Sequence, residues 1–292
     1  MNVFTIKDLE NLSGIKAHTI RIWEQRYKFL KPNRTGTNIR YYCCKELKTI
    51  LNISLLNKYG FKISHIDKMS EQELSSRIIS LSDKEAQQER VVNEMISNMI
   101  DLEIDSFEQI LDNYILTKGI DKAINHIIFP FLHRIGILWM TNHIHPAQEH
   151  LVTNVIRQKL IVGIEGVMTH IHVNKTILLF LPEGEYHELG LLYVYYLLKN
   201  HGIKVLYLGA DMPFQDIAFI CKLKKPDYCY THLTGTTGSF NFEKFLLQMS
   251  HQIPEIPLVV SGLLAQTQLR KIPPGVHFKR SLPEVLEFVG SL

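Results

Sequence analysis

The sequence predicts a multidomain α and α/β protein: a winged helix-turn-helix, then a four-helix bundle, then a Rossmann-like doubly wound parallel sheet. Three observations lead to this prediction. Residues 1–68 hold 13 Lys and Arg against 5 Asp and Glu, a net charge of +8 in a chain whose total is +3. Residues 91–166 carry apolar side chains at helical spacing. From residue 173 onward, short apolar runs alternate with helix-length segments, which is typical of a parallel sheet.

The expected domain limits follow from these shifts in composition. The helix-turn-helix is expected over residues 1–70, the bundle over residues 91–170 and the sheet over residues 174–292. Residues 71–90 are rich in Ser, Glu and Gln, which indicates a polar linker. A chain of 292 residues is long enough for this many domains.

Composition narrows the class of protein. With 46% hydrophobic and 21% charged residues, the chain has the balance of an ordinary globular protein. It shows no apolar run of membrane-spanning length and no signal peptide, so we expect a cytoplasmic protein without a membrane partner. The 4 cysteines lack C-x-x-C spacing, so neither a zinc site nor a disulfide framework is expected.

The basic head begins with two short predicted helices joined by a turn at Gly14. Thr5 and Asp8 have the spacing of a capping box at the start of the first helix. The second helix, over residues 17–27, is expected to enter the major groove of DNA. Residues 31–42 then form a hairpin, or wing, whose polar side chains can grip phosphates. A helix-turn-helix by itself can also bind protein, and the basic wing favours DNA.

This head resembles the MerR family of transcription regulators. The resemblance is carried by the Arg-x-Trp-Glu-x-Arg-Tyr run at residues 21–27 and the Arg-Tyr-Tyr run at residues 40–42. It implies that a homodimer or homotetramer binds a double-stranded DNA operator made of repeated half-sites. The DNA contacts that it implies are His18, Arg21, Tyr27, Arg34, Asn38, Arg40 and Tyr41.

The middle of the chain is predicted to be a four-helix bundle. Its helices are expected over residues 85–100, 105–116, 119–140 and 146–168. The apolar positions within them repeat at helical period, so each helix has one face for a common core.

The sheet begins with a predicted strand–helix–strand unit. An apolar run at residues 177–181 precedes a polar loop, a helix over residues 188–200 and a second strand over residues 204–208. Ligands of such sheets lie beyond the carboxyl ends of the strands. The first strand is followed there by three residues at ExHxxG spacing: Glu185, His187 and Gly190.

These three residues suggest a metal-binding loop. His187 can offer a neutral nitrogen to a metal, and Glu185 can hold the other ring nitrogen. Gly190 has no side chain, which lets a bulky ligand approach the first turn of the helix. The alternative interpretation is a solvated Glu–His pair with no ligand.

The rest of the chain continues the alternation as an open sheet of five strands. The elements that can be located are a helix over residues 213–223, a strand over 228–233, a helix over 241–251, a strand over 258–261 and a helix over 282–289. The glycine-rich residues 234–238 lack a Lys, so they are interpreted as a connector and not as a phosphate-binding loop.

Together these strand ends resemble the cobalamin-binding domain of methionine synthase and the adenosylcobalamin mutases. After the ExHxxG loop, the family pattern continues with Ser/Thr-x-Leu, here Thr231 and Leu233, and with a Gly-Gly pair, of which Gly262 is present. The resemblance implies a cobalamin cofactor with His187 as the lower axial ligand of cobalt. It also implies that Thr231 and Gly262 flank the buried nucleotide tail.

The bundle carries a second resemblance, to light-sensing repressors of the CarH/LitR type. Trp139, Glu149 and His150 match the Trp-x9-Glu-His pattern of the bundles that cover the upper face of cobalamin in that family. The resemblance implies adenosylcobalamin, with Trp139 over the upper axial group and Glu149 bonded to the ribose. Light-sensing members carry a His after that Trp, whereas this chain carries Met140, so the light response stays open.

Three functions are consistent with this pattern. The first is a DNA-binding transcription regulator whose C-terminal half senses cobalamin. The second is a MerR-type regulator without cofactor that uses its C-terminal domains for oligomerisation or for binding a protein antagonist. The third, a cobalamin-dependent enzyme module, is the least favoured, because the chain begins with a DNA-binding head and has no room for a substrate barrel. The protein is therefore predicted not to be an enzyme.

Overall fold

The computed structural model describes residues 3–140, 144–170, 172–235, 240–266 and 272–292. It divides into two units, Met1–Val155 and Ile156–Leu292. The first unit is helical apart from a small hairpin, and the second contains a parallel sheet. Within the described ranges, no helix combines the length and the apolar character needed to cross a membrane.

The N-terminal part of the first unit is the predicted winged helix-turn-helix. Its elements are α1 (Ile6–Ser13), α2 (Ala17–Arg26), β1 (Asn33–Arg34), β2 (Arg40–Tyr41), α3 (Cys44–Lys58) and α4 (Ile63–Ile66). The side chains of Thr5 and Asp8 form the predicted capping box at the start of α1. Helix α1 ends at Gly14, which has a left-handed backbone with φ 74°. The strands β1 and β2 pair in antiparallel fashion and form the wing.

The segment predicted as a polar linker is largely helical. Helix α5 (Glu71–Ile79) begins after Ser70, whose hydroxyl accepts a hydrogen bond from the backbone of the first turn, and α5 packs on α3. Helix α6 (Lys84–Asp101) begins after Asp83, which caps its first turn in the same way. The polar residues that resembled a linker therefore include the N-caps of two helices.

The remaining elements around the bundle lie close to their predicted bounds. They are α7 (Ile104–Lys118), α8 (Ile120–Ala123), a π-helical turn (Ile124–Ile128), α9 (Phe129–Met140) and α10 (Pro146–Glu165). The predicted helix over residues 119–140 is thus present, with a π-helical turn in its middle.

A buried polar cluster joins the helix-turn-helix to the bundle. Asn93 of α6 is 5% exposed, and its Nδ2 donates to the carbonyl oxygen of Leu51 in α3 at 3.5 Å. Arg134 of α9 donates through Nη1 to Oδ1 of Asn93. Its Nη2 lies 3.4 Å from Oε1 of Glu89, and Nζ of Lys58 lies 2.7 Å from the other oxygen of that carboxylate. These contacts hold α3 against α6 and α9 within one unit.

The second unit is a doubly wound sheet of five parallel strands in the order β4-β3-β5-β6-β7. Its elements are β3 (Val173–Pro182), α11 (Leu189–Asn200), β4 (Ile203–Met212), α12 (Phe214–Lys224), β5 (Tyr228–His232), α13 (Phe242–Gln252), β6 (Leu258–Ser261), a 3-10 turn (Leu263–Gln266), β7 (Val276–Phe278) and α14 (Leu282–Gly290).

The apolar runs explain why the sheet lies in the core. The run at residues 177–181 in β3 is fully buried, as expected for a strand covered by helices on both faces. Five strands were predicted from the sequence, and residue ranges could be assigned to four of them. The fifth strand, β7, has 3 residues, which is too short for a recognisable alternation of apolar and polar side chains. The fold class predicted from the sequence is confirmed.

We expect Asn93→Leu to lower the free energy of unfolding by roughly 1–3 kcal/mol, because it leaves buried hydrogen-bonding groups of Arg134 and Leu51 without this partner. Urea denaturation of the full chain measures the change. Asn113→Leu, at an exposed position of α7, is the matched control and should change the free energy by less than about 0.5 kcal/mol. Equal effects of the two substitutions would contradict a stabilising role for the cluster.

Candidate functional site

Helix α2 presents the predicted DNA-reading face to solvent. His18 and Arg21 are exposed, while Ile20 and Trp23 are buried as expected. The Trp23 ring packs edge-on against Phe29, with centroids 5.9 Å apart, so the apolar side of α2 is fixed to the following loop. The exposed residues of α2 are therefore carried on a rigid element.

The wing holds a second group of predicted DNA contacts. Arg34 and Asn38 are exposed, and Nη1 of Arg34 donates to Oδ1 of Asn38 at 2.7 Å across the hairpin. Asn38 has a left-handed backbone with φ 65°, a conformation that Asn tolerates better than most residues. Tyr41 is half-buried on β2, and Tyr27 stacks on Phe29 with centroids 5.7 Å apart.

Arg40 is turned toward α2. Its Nε lies 2.9 Å from Oε2 of Glu24, a carboxylate that is 6% exposed, and the hydroxyl of Tyr42 donates to Oε1 of the same residue. Burial, together with the bond to Glu24, raises the pKa of Tyr42, so its hydroxyl stays a donor. Arg40 thus anchors the wing on α2, and its contact with phosphate stays a prediction. The role of Glu24 could not be predicted from the sequence, because it depends on this packing.

Of the residues predicted from the bundle, Glu149 and His150 have described side chains. Glu149 occupies the first turn of α10 and is 24% exposed, with Oε2 at 3.7 Å from Nδ1 of the exposed His150. Trp139 and Met140 end α9, but their side chains lie outside the described residues, as does His143 altogether. The predicted pairing of Trp139 with Glu149 therefore stays a prediction.

Glu185 organises the loop after β3. The residue is 1% exposed, and its Oε1 accepts the backbone N–H of His187 at 2.9 Å and lies 2.5 Å from Nδ1 of the same residue. Its Oε2 accepts the backbone N–H groups of Thr234 at 3.2 Å and Gly235 at 3.0 Å. Burial alone raises the pKa of Glu185, but the hydrogen bonds from His187 and Gly235 outweigh burial and hold that pKa below its usual value.

The loop is also fastened to the end of β4. The backbone N–H of Glu183 donates to the carbonyl of Met212 at 3.0 Å, and that of Asp211 donates to the carbonyl of Glu185 at 3.2 Å. The carboxylate of Asp211 accepts the N–H of Gly184 at 2.9 Å. These bonds keep the loop in one conformation next to the carboxyl edge of the sheet.

His187 is the metal-ligand candidate that this loop carries. Its side chain is 62% exposed, and a His that donates Nδ1–H to a carboxylate carries its lone pair on Nε2. Among the described residues there is no group of three or more His, Cys, Asp or Glu that could hold a metal ion. One oriented imidazole suits a metal that arrives within a cofactor, since such a metal needs a single ligand from the protein.

A further tether of the loop could not be identified from the sequence. Glu188 precedes α11, and its Oε2 lies 2.7 Å from Nη2 of Arg157 in α10. Its Oε1 accepts the hydroxyl of Tyr207 at 2.9 Å. Glu188 follows His187 directly, so these bonds fix the far side of the same loop.

Gly190 does not face open space. A Cβ atom at this position would lie 2.3 Å from Cδ2 and Nε2 of His232, well inside an ordinary contact distance. We call the space between Gly190 and Ser261, which the ring of His232 fills, the Gly190 slot. The absence of a side chain at Gly190 therefore makes room for His232 of β5 in this structure. The sequence had predicted that a bulky ligand would approach the backbone there.

The predicted residues of β5 face the other side of the sheet. Cys229 and Leu233 belong to the core that packs on α12 and α13, and alternation along the strand places Thr231 with them. Thr231 is fully buried, and its Oγ1 has no hydrogen-bond partner among the described residues. His232 points the opposite way, toward α11. The structure thus brings Glu185 and His187 together but separates Thr231 from Gly190.

Gly262 is required by packing. It has φ 91°, and a Cβ atom there would lie 2.4 Å from the carbonyl oxygen of Leu233. The backbone N–H of Leu264 donates to the same oxygen at 3.1 Å. The close approach of the ends of β5 and β6 is therefore sufficient to explain this glycine.

Comparison with protein families identifies the two helical parts of the chain. Residues 4–73 match the model of the MerR HTH family regulatory protein, and residues 91–162 match that of the B12 binding domain. The MerR match covers the winged helix-turn-helix, as the resemblance implied, and the B12 match covers the helical bundle that was expected to cover the upper face of cobalamin.

Two known relatives align with most of the chain. The chain is 26% identical over 271 residues to the HTH-type transcriptional repressor CarH of Myxococcus xanthus, covering 90% of each chain. It is 26% identical over 269 residues to the repressor CarA of the same organism, covering 91% of this chain and 89% of that one. Among solved structures, the Methanosarcina barkeri monomethylamine corrinoid protein shares the fold, with a TM-score of 0.53 at 12% identity over 70% of this chain and 100% of that one.

We expect Glu24→Ala to weaken DNA binding although it removes a negative charge from the DNA-binding head. The wing loses its anchor, because Arg40 and Tyr42 both bond to Glu24, and the free energy of unfolding should fall by roughly 1–3 kcal/mol. Glu24→Gln keeps an acceptor for these bonds, so its DNA affinity and its free energy of unfolding should lie between those of wild type and Glu24→Ala. Tighter DNA binding by Glu24→Ala in a fluorescence titration would show that Glu24 acts through its charge and not by holding the wing.

Proposed function

We propose that this protein, a MerR-type helix-turn-helix joined to a B12 binding domain, is a sequence-specific DNA-binding transcription regulator whose C-terminal half senses cobalamin. The observation that carries the proposal is the pairing of two sites in one chain. One is the basic recognition face of α2 and the wing, and the other is the oriented His187 at the edge of the sheet. The relatives are repressors, so we propose a regulatory and not a catalytic role.

The residues at the cobalt end of the site fit the cofactor. His187 is exposed, sits in a loop that is fastened on both sides, and has Nδ1 on the buried Glu185, which directs the lone pair to Nε2. Bound cobalamin would supply a cobalt ion, and Nε2 of His187 would be the protein nitrogen that holds it. The protein supplies the orientation of the ring and a carboxylate that raises its basicity.

The residues at the tail end of the site do not fit in this conformation. Thr231 and Gly262 were expected to flank the nucleotide tail, but Gly262 packs on Leu233 and the Gly190 slot is filled by His232. This observation favours a second candidate function, a regulator without cofactor that uses its C-terminal domains for oligomerisation or for binding a protein antagonist.

For the DNA half, we propose that the functional form is at least a homodimer. A twofold dimer presents two copies of α2, so the operator should contain two half-sites. For the cofactor half, we propose the adenosyl form, with Trp139 over its upper face and Glu149 at the ribose. Glu149 retains 24% exposure, which is compatible with a contact to a ligand.

We expect His187→Ala to abolish binding of hydroxocobalamin, and Glu185→Gln to weaken it roughly 10- to 100-fold because the carboxylate that orients the imidazole is lost. Spectrophotometric titration of the full chain measures both. His251→Ala, an exposed histidine at the end of α13, is the matched control and should leave binding unchanged. Absence of binding to wild-type protein would favour the regulator without cofactor.

We expect Arg21→Ala and Arg34→Ala to affect DNA binding in different ways. Arg21 lies on the recognition helix, so its loss should reduce the free energy of DNA binding by about 1–3 kcal/mol. It should also remove the discrimination between bases at one base pair. Arg34 lies on the wing, so its loss should weaken binding to all DNA sequences alike. The slope of log binding constant against log salt concentration should become smaller in magnitude by about 1. Footprint titrations at several salt concentrations separate the two effects. Unchanged affinity of both variants would refute the DNA-binding assignment of this face.

A further inference from the structure

Helix α6 ends at a residue with an unfavourable backbone conformation. Leu102 follows Asp101, the last residue of α6, and has a left-handed backbone with φ 61°. Its N–H donates to the carbonyl oxygens of Asn98 and Met99, which closes the last turn. Glycine is the usual residue at such a helix end, because a Cβ atom disfavours this conformation. The Leu102 side chain is 53% exposed, so contacts of the neighbouring residues must hold the turn.

One of these contacts comes from α10. Nε2 of Gln148 donates to the carbonyl oxygen of Ile100 at 3.1 Å. Carbonyl groups in the last turn of a helix have no partner within that helix, so this bond satisfies one of them. Gln148 is buried, and its Oε1 accepts the backbone N–H of His145 at 2.9 Å. One buried amide therefore closes the start of α10 and joins it to the end of α6.

A second contact comes from the DNA-binding head. The carboxylate of Asp101 pairs with Nζ of Lys48 in α3. A negative charge at the C-terminal end of a helix is unfavourable, because the helix dipole is negative there, and the ammonium group of Lys48 offsets it. Lys48 lies one turn into α3, which begins at Cys44, and β2 of the wing ends at Tyr41. The end of α6 is therefore joined to the part of α3 that follows the wing.

Residues 98–102, which we call the α6 turn, thus contact two segments with different tasks. Gln148 directly precedes Glu149, the residue proposed to contact the ribose, and both belong to the match with the B12 binding domain. Lys48 belongs to the match with the MerR family. Both contacts oppose the tendency of Leu102 to leave its left-handed conformation, so the loss of either one favours unwinding of the turn.

We propose that the α6 turn couples cobalamin binding to DNA binding. This inference rests on the proposed function, because it concerns how the cofactor regulates the head. A ligand bound to Glu149 restrains the first turn of α10, keeps Gln148 on the α6 turn and favours the wound arrangement. The wound turn keeps Asp101 on Lys48 and orders the start of α3 beside the wing, which favours DNA binding. Coupling between two sites needs such an element with two arrangements that both sites can bias.

The test measures the affinity of the full chain for a DNA fragment that the wild-type protein has selected from random sequences. Saturating adenosylcobalamin should strengthen binding to wild type at least about fivefold. Gln148→Leu and Lys48→Ala should each reduce this gain below about twofold, with the cofactor still bound. Leu102→Gly removes the strain, so it should bind DNA tightly without cofactor and also show little gain. Lys45→Ala, which removes a lysine of α3 that is 79% exposed, is the matched control and should keep the wild-type gain.

A charge swap separates coupling from a general loss of stability. Lys48→Glu and Asp101→Lys should each abolish the gain, and the double variant should recover it to within about twofold of wild type, because the pair is formed again with reversed charges.

Hydrogen exchange gives a readout that does not depend on the cofactor. In free Gln148→Leu, exchange should rise at least about tenfold at the N–H groups of Leu102 and Glu103, which close the α6 turn, and should also rise in the first turns of α3. In free Leu102→Gly, exchange at residues 102 and 103 should slow.

The outcomes separate the inference from the proposed function. A wild-type gain retained by Gln148→Leu and Lys48→Ala would overturn the role of the α6 turn and leave cobalamin sensing intact. Absence of adenosylcobalamin binding to wild type would overturn cobalamin sensing and the coupling with it. If circular dichroism shows that Gln148→Leu does not fold, Gln148→Glu at pH 8 takes its place, because it keeps the acceptor for His145 and loses the donor to Ile100.

Discussion

The edge of the sheet depends on one interaction, the burial of the Glu185 carboxylate. An ionised carboxylate in a protein interior costs several kcal/mol unless hydrogen bonds surround it. Its partners come from two separate loops, His187 after β3 and the backbone of Thr234 and Gly235 after β5. The need to satisfy this charge therefore locks both loops together and sets the orientation of the imidazole before any ligand arrives.

The same edge shows that one sequence pattern can serve packing and binding at once. Gly190 accommodates the ring of His232, and Gly262 accommodates the backbone of Leu233. These contacts explain both glycines without a ligand. The Glu185–His187 pair is different, because an exposed imidazole oriented by a buried carboxylate contributes little to packing. It is the pair, and not the glycines, that supports a ligand at this edge.

The first unit shows how the DNA-binding head is connected to the bundle. The segment that separates them is helical, and α3 of the head contacts α6 and α9 through Asn93 and Arg134. Burial lowers the pKa of Arg134 below its usual value, because it disfavours the charged guanidinium. The neighbouring carboxylate of Glu89 partly offsets this effect. Packed contacts of this kind can carry energetic coupling between the head and the bundle.

Features that depend on neighbouring residues could be predicted from the amino-acid sequence. The capping box of Thr5 and Asp8, the burial of Ile20 and Trp23, and most element bounds follow from local spacing, because helix and strand periods are local properties. The link between Glu185 and His187 could also be predicted, since only Tyr186 separates them in the chain. In each case the interacting groups are brought together by a single element or loop.

Contacts between residues that are far apart in sequence could not be predicted, because they depend on how the elements pack. The anchoring of Arg40 by Glu24, the bonds from Thr234 and Gly235 to Glu185, and the closure of the Gly190 slot by His232 all join different elements. No periodicity in the chain indicates which strand end lies beside which helix. The direction of the His232 ring depends on strand order and on the register of β5 against its neighbours, and these are set when the whole sheet packs.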